Sequence, residues 1–213
     1  MERVLRLKPG HNVTLFNGQG GQFVSELLPN GRARLLEFDP IERESPLRIR
    51  LIQGISKGER MDVTLQKATE LGASRISPVT SQRSVVRLDD ERAERRHERW
   101  GSILQSACEQ CGRNRIPQLD ELQKLEQIFC ENNQPDETRI VLAPFGAQTL
   151  HELPQPTRLS VLIGPEGGLN EEEINQATQC GFVAVRLGAR ILRTETAGPA
   201  LLAAAQTLWG DLR

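Results

Sequence analysis

Residues 161–209 read VLIGPEGGLNEEEINQATQCGFVAVRLGARILRTETAGPALLAAAQTLW, and the fold turns on this stretch. Two apolar runs, Val161 to Ile163 and Val183 to Leu187, each break into a glycine-bearing loop and then into a helical pattern. Strand, loop and helix in succession build an α/β protein, and loops at strand ends are where such proteins hold ligands. The first loop, Gly164-Pro165-Glu166-Gly167-Gly168, fits neither a helix nor a sheet ladder, so the chain turns sharply there and exposes backbone amides and carbonyls. Asn170 then reads as a helix N-cap, with Glu173 three residues on completing a capping box. Gly188 opens the second loop, where Arg193-Thr194-Glu195-Thr196 stands between Ile191-Leu192 and an alanine-rich helix. Thr194 or Thr196 is a candidate cap for that helix, and Arg193 with Glu195 a candidate local ion pair.

The same alternation continues upstream. Ile140 to Leu142 is a third core strand, ending in Ala143-Pro144-Phe145-Gly146. After the strand Ile49 to Gln53, Met61, Leu65, Ala68 and Leu71 form a helical stripe closed by Gly72. Ile76 and Val79 belong to a further strand, followed by the basic segment Arg83-Ser84-Val85-Val86. Asp89 to Arg113 reads as a long helix whose first half is mostly a solvated charged face, and Leu119 to Asn132 as a weaker one. Strands alternating with helices over residues 47–213 predict a parallel or mostly parallel sheet. No GxGxxG loop occurs, and Lys57 precedes Gly58 where a phosphate loop needs Lys after its second glycine.

The chain opens differently. Val13 to Phe16, Phe23 to Leu27, Ala33 to Phe38 and Leu47 to Ile52 are strand-like, with a hairpin signal at Asn17-Gly18-Gln19-Gly20-Gly21. These runs predict a small β domain over residues 1–45, ahead of an α/β domain over 46–213.

Charge is nearly balanced, 27 basic against 28 acidic residues, so no whole-protein field announces a nucleic-acid binder. The basic residues nevertheless gather near the N-terminus and at the end of the long helix, where Arg113 and Arg115 suit either the helix dipole or a phosphate. No apolar run reaches the roughly 20 residues of a membrane span, and charged residues follow Met1, which predicts a cytoplasmic location. Cys108 and Cys111 have the spacing of a metal pair, but no second pair exists; with Trp100, Ile103, Leu104 and Ala107 they form one helix face, so reduced structural thiols and no metal are expected.

LQKATELG (Leu65 to Gly72), Ser77-Pro78, Gln82-Arg83-Ser84, ACEQCGR (Ala107 to Arg113), IGPEGGLNEEEI (Ile163 to Ile174) and LGARILRTETA (Leu187 to Ala197) together closely resemble the ribosomal small-subunit RNA uridine-N3 methyltransferases of the RsmE type, in the SPOUT class. The resemblance spans residues 3–210. It implies a C-terminal SPOUT domain with a deep trefoil knot, preceded by a small PUA-like β-barrel that is incomplete here. It implies a homodimer that binds S-adenosylmethionine and methylates N3 of a specific uridine in 16S rRNA of the 30S subunit. The cofactor pocket then falls to Leu142, Ala143, Pro144, Gly164, Pro165, Glu166, Gly167, Leu187, Gly188, Ile191, Leu192, Arg193, Thr194 and Ala197. Arg193 would stabilise the uracilate oxygens, and Glu195 would orient Arg193 or accept the proton. Arg6, Lys8, Arg83, Arg113 and Arg115 would contact RNA phosphates. Rival readings are a non-catalytic RNA-binding ribosome-assembly factor of the same fold, a related methyltransferase acting on transfer RNA, and a nucleotide binder using the glycine loop.

Overall fold

The computed structural model describes residues 7–84 and 90–212. They divide into two compact units: residues up to Glu44 with Cys108–Ile116, and Ser45–Ala107 with Pro117 onward. A division at residue 45 alone would leave Cys108–Ile116 with the α/β part; the structure packs that segment with the β-rich part. Its backbone is captured there, since Gly20 N–H donates to Asn114 O at 3.0 Å and Ile116 N–H to Gly18 O at 3.1 Å.

In the smaller unit, β1 (Asn12–Leu15), β2 (Gln22–Leu27) and β3 (Ala33–Asp39) form an antiparallel sheet in that order. The expected hairpin joins β1 to β2, with Gly18 at φ 81°, a conformation that side chains disfavour. Phe23 and Phe38 pack across the β2–β3 pair with ring centroids 5.1 Å apart.

The larger unit is α/β. Its elements run β4 (Arg48–Gly54), α1 (Glu59–Glu70), β5 (Ala73–Thr80), α2 (Asp90–Cys111, whose end belongs to the smaller unit), β6 (Gln118–Leu119), β7 (Gln123–Lys124) and α3 (Leu125–Phe129). Then follow β8 (Glu137–Leu142), β9 (Arg158–Ile163), α4 (Glu171–Gln179), β10 (Phe182–Val185) and α5 (Thr194–Trp209). Among the described residues the sheet is parallel throughout, in the order β10-β8-β9-β4-β5-β6, with β7 also on β5. The run Leu47 to Ile52, grouped in the sequence with the N-terminal strands, becomes β4 at the heart of this sheet.

Alternation along the strands fills both faces. Leu51, Ile140 and Val161 join a cluster with Leu65 of α1, Leu104 of α2 and Leu201 of α5. Their neighbours Ile52, Val141 and Leu162 join another with Leu125 and Ile128 of α3 and Ala177 of α4. A sheet covered on both faces needs such continuous apolar strands. Gly72, at φ 79°, ends α1 as expected.

The helix expected over Leu119–Asn132 is only Leu125–Phe129. The residues ahead of it pair with the edge of β5, and the Asp120 carboxylate is taken by Arg75 at 2.8 Å and by Ser77. Nearby, Arg50 of β4 grips Glu131 through both terminal nitrogens and lies 3.6 Å from Asp120. Val85, Val86, Asp89 and Arg6 lie outside the described residues.

Candidate active site

The loops after β8, β9 and β10 meet the first turn of α5 around a cleft of about 470 Å³. Every residue assigned from the sequence to the cofactor pocket borders it, and so does Glu195. Arg60, Arg83, Ile163, Gly168, Leu169, Ile174 and Arg190 complete the lining.

Close approach of backbone requires glycine at two positions around the β9 loop. A Cβ on Gly164 would stand 2.7 Å from the Leu169 nitrogen, and one on Gly54, at the end of β4, 2.5 Å from the Pro165 nitrogen. Asn170 caps α4 as the sequence indicates: its Oδ1 accepts from Glu173 N–H at 2.8 Å, and Glu173 Oε2 accepts from Asn170 N–H at 2.8 Å. The other oxygen of this buried carboxylate takes Gln82 N–H at 2.8 Å, which docks the segment after β5 onto the α4 terminus. Arg83 then donates to Gly167 O at 3.1 Å.

Glu166 is committed to the protein. Its Oε1 accepts from Lys57 N–H at 2.8 Å and from the Arg60 guanidinium at 3.0 Å. Burial pushes this carboxyl up, but the backbone N–H groups of Lys57 and of Glu166 itself, with Arg60, outweigh that and hold it below the usual carboxylate range. Arg60 also stands 3.6 Å from Glu195, so the local Arg193–Glu195 pair is replaced by a pair reaching across from α1.

Neither threonine caps α5. The N-cap is Arg193, without a side-chain bond, because the Thr194 hydroxyl is spent on Gly164 O at 2.7 Å while accepting from Gln53 Nε2 at 2.9 Å. Thr194 therefore borders the cleft as a tie between loops.

Four arginines, Arg60, Arg83, Arg190 and Arg193, line the cleft together with two acids, Glu166 and Glu195. Such a lining suits a cleft that receives a polyanion. Ile191 projects at its rim, 80% exposed.

The other expected phosphate contacts divide. Lys8 is exposed. Arg113 is buried, and Glu44 holds its guanidinium at 2.9 and 2.6 Å. Arg115 is exposed but paired with Glu42 at 2.9 Å.

A model of the RNA methyltransferase domain matches residues 43–206. The chain belongs to this family. It is similar to ribosomal RNA small subunit methyltransferase E of Buchnera aphidicola subsp. Schizaphis graminum, with 37% identity over 100% of this chain and 88% of the relative. The protein of the same description from Bacillus subtilis is 32% identical over 91% of this chain and 80% of its own. Among solved structures, a ribosomal RNA small subunit methyltransferase E from Neisseria gonorrhoeae bound to S-adenosyl methionine superposes with a TM-score of 0.92 at 43% identity, covering 100% of this chain and 89% of that one. A putative methyltransferase from Legionella pneumophila in complex with the same cofactor gives 0.94 at 39%, covering 99% and 88%. Within its family the chain thus groups with ribosomal RNA small subunit methyltransferase E.

Two polar residues of this methyltransferase site escape the sequence reading. Arg60 lies 106 residues from Glu166 and Gln53 lies 141 from Thr194, and no local pattern marks either.

Proposed function

We propose that the chain transfers a methyl group from S-adenosylmethionine to N3 of one uridine in 16S rRNA. Arg193 and Glu195 bordering the same cleft as the three strand-end loops is the observation that carries this reading. The residues fit the cofactor. The cleft volume lies in the range of small-molecule sites, and Leu142, Ile163, Leu187 and Leu192 offer an apolar lining beside the close-packed glycine loop.

When bound, S-adenosylmethionine supplies an electrophilic methyl on a sulfonium. Uracil N3 keeps its proton until well above neutral pH, so the protein has to help remove it, stabilise the ring anion and hold N3 in line with the methyl. Arg193 places its guanidinium against the uracilate oxygens. Glu195, 3.6 Å from Arg60, orients Arg193 or accepts the N3 proton. Lys8, Arg83 and Arg115 hold phosphates, with Arg115 exchanging Glu42 for the RNA.

The same reading makes the larger unit a SPOUT domain with a trefoil knot and the smaller a PUA-like domain that captures RNA. It makes the working form a cytoplasmic homodimer acting on the 30S subunit. The motif resemblance supports these assignments. The test is methyl transfer to unmethylated small ribosomal subunits, with the modified base located by blocked reverse transcription. A single stop at one uridine is expected; no transfer, or a stop at another base, overturns the reading.

A further inference from the structure

We infer that Gln53 is a positioning residue for the cofactor loops and acts through the Thr194 hydroxyl. This rests on the cofactor reading above. Gln53 stands near the end of β4 and is 0% exposed. A buried amide is costly unless its polar atoms find partners. Its Nε2 donates to Gly54 O at 3.0 Å and to Thr194 Oγ1 at 2.9 Å. Turning the amide over would set oxygen against the Gly54 carbonyl, which fixes its orientation. The single Thr194 hydroxyl hydrogen goes to Gly164 O at 2.7 Å, so the relay runs one way, from β4 through the first residue of α5 to the start of the β9 loop.

The peptide joining Gly164 to Pro165 has no N–H. Its carbonyl is its only polar handle, and the relay takes it. Rotation of that peptide sets where the rest of the glycine loop lies.

Gln53 Oε1, meanwhile, is buried and finds no hydrogen-bond partner among the described residues. An orphaned acceptor weakens the fold, while the two bonds that Nε2 donates strengthen it. What the amide adds over an apolar side chain is this pair of bonds, to Gly54 O and to Thr194 Oγ1, and through the second it reaches the loop.

The test compares the whole protein with Gln53→Met, Thr194→Val, their double variant and Thr194→Ser. Calorimetry gives S-adenosylmethionine affinity, thermal melting without cofactor gives stability, and kinetics on small subunits give separate KM values for cofactor and RNA. Loss of a buried hydrogen bond predicts about tenfold weaker cofactor binding in Gln53→Met and in Thr194→Val. The double variant falls no further than the weaker single, because both cut one relay. Thr194→Ser keeps wild-type affinity within about threefold, since the hydroxyl remains. The RNA KM stays near wild type; Gln53→Met melts somewhat lower, because Gly54 O and Thr194 Oγ1 lose their donor, so affinities are compared well below each variant's melting temperature. Additive effects, or wild-type cofactor affinity in folded Thr194→Val, would overturn the relay. If Gln53→Met does not fold, Thr194→Val against Thr194→Ser decides. A wild-type chain that binds no S-adenosylmethionine would instead overturn the cofactor reading beneath it.

Discussion

The Arg60 guanidinium donates to the Glu166 carboxylate at 3.0 Å, joining the start of α1 to the glycine loop after β9. Glu195 stands 3.6 Å from the same guanidinium, so one cation serves an acid on the β9 loop and another in the first turn of α5. Arg60 is 46% exposed, and solvent screening limits the stability of such a pair to about 1 kcal/mol or less. Arg60→Met is therefore expected to leave the melting temperature nearly unchanged while weakening S-adenosylmethionine binding about fivefold, the equivalent of one modest polar contact. Calorimetry beside a thermal melt separates the two effects; unchanged affinity would limit Arg60 to the surface.

Arg193 and Glu195 are expected to act on the chemical step. Removing a donor aimed at developing charge, or a proton acceptor, costs about 100-fold or more in kcat. Arg193→Ala and Glu195→Gln should show that loss under single turnover at saturating cofactor, with cofactor affinity changed only a few-fold. Wild-type rates in either variant would remove that residue from the mechanism.

Among the cations, Arg113 and Lys8 are predicted to behave oppositely. Lys8→Ala and Arg83→Ala should weaken RNA binding and lower the slope of log affinity against log salt by roughly 0.7–0.9 for each phosphate left without its cation. Arg113→Met should instead destabilise the fold by about 2 kcal/mol, because Glu44 loses its buried partner. Equal salt slopes in wild type and Lys8→Ala would take Lys8 out of the interface.

The Arg50–Glu131 pair predicts sensitivity to acid. Hydrogen bonding to Arg50 outweighs burial and holds the Glu131 carboxyl below its ordinary range. Its stabilisation is complete above the unfolded glutamate value, about 4.3, and is lost as pH falls through the lower folded value. Urea midpoints taken from about pH 7 to about pH 3 should decline less steeply in Glu131→Gln than in wild type. Parallel curves would show that other carboxylates govern the acid limb.

Local signals in the sequence translate well and distant ones poorly. The Asn170–Glu173 capping box and the Gly72 helix end involve residues within a few positions of each other, so composition alone reveals them. The three strand-end loops are legible for the same reason, because apolar runs and glycines mark them directly. The burial of Arg113 is not legible because its partner, Glu44, lies 69 residues away in the sequence. Thr194 looks like a cap because nothing nearby discloses Gln53 or the Gly164 carbonyl. The helix expected from Leu119 fails because a sheet edge, formed by β5, competes for its backbone.

The place of β4 has a consequence for how the protein is made. Ile49 pairs with Ala73 on one side and with Leu159 on the other. The first partner leaves the ribosome soon after β4, but the second belongs to the last third of the chain. At a synthesis rate of about 5–20 residues per second, one edge of this central strand waits roughly 5–20 s for its neighbour. Throughout that interval the nascent chain carries an open hydrogen-bonding edge, which any extended segment of another chain can meet first.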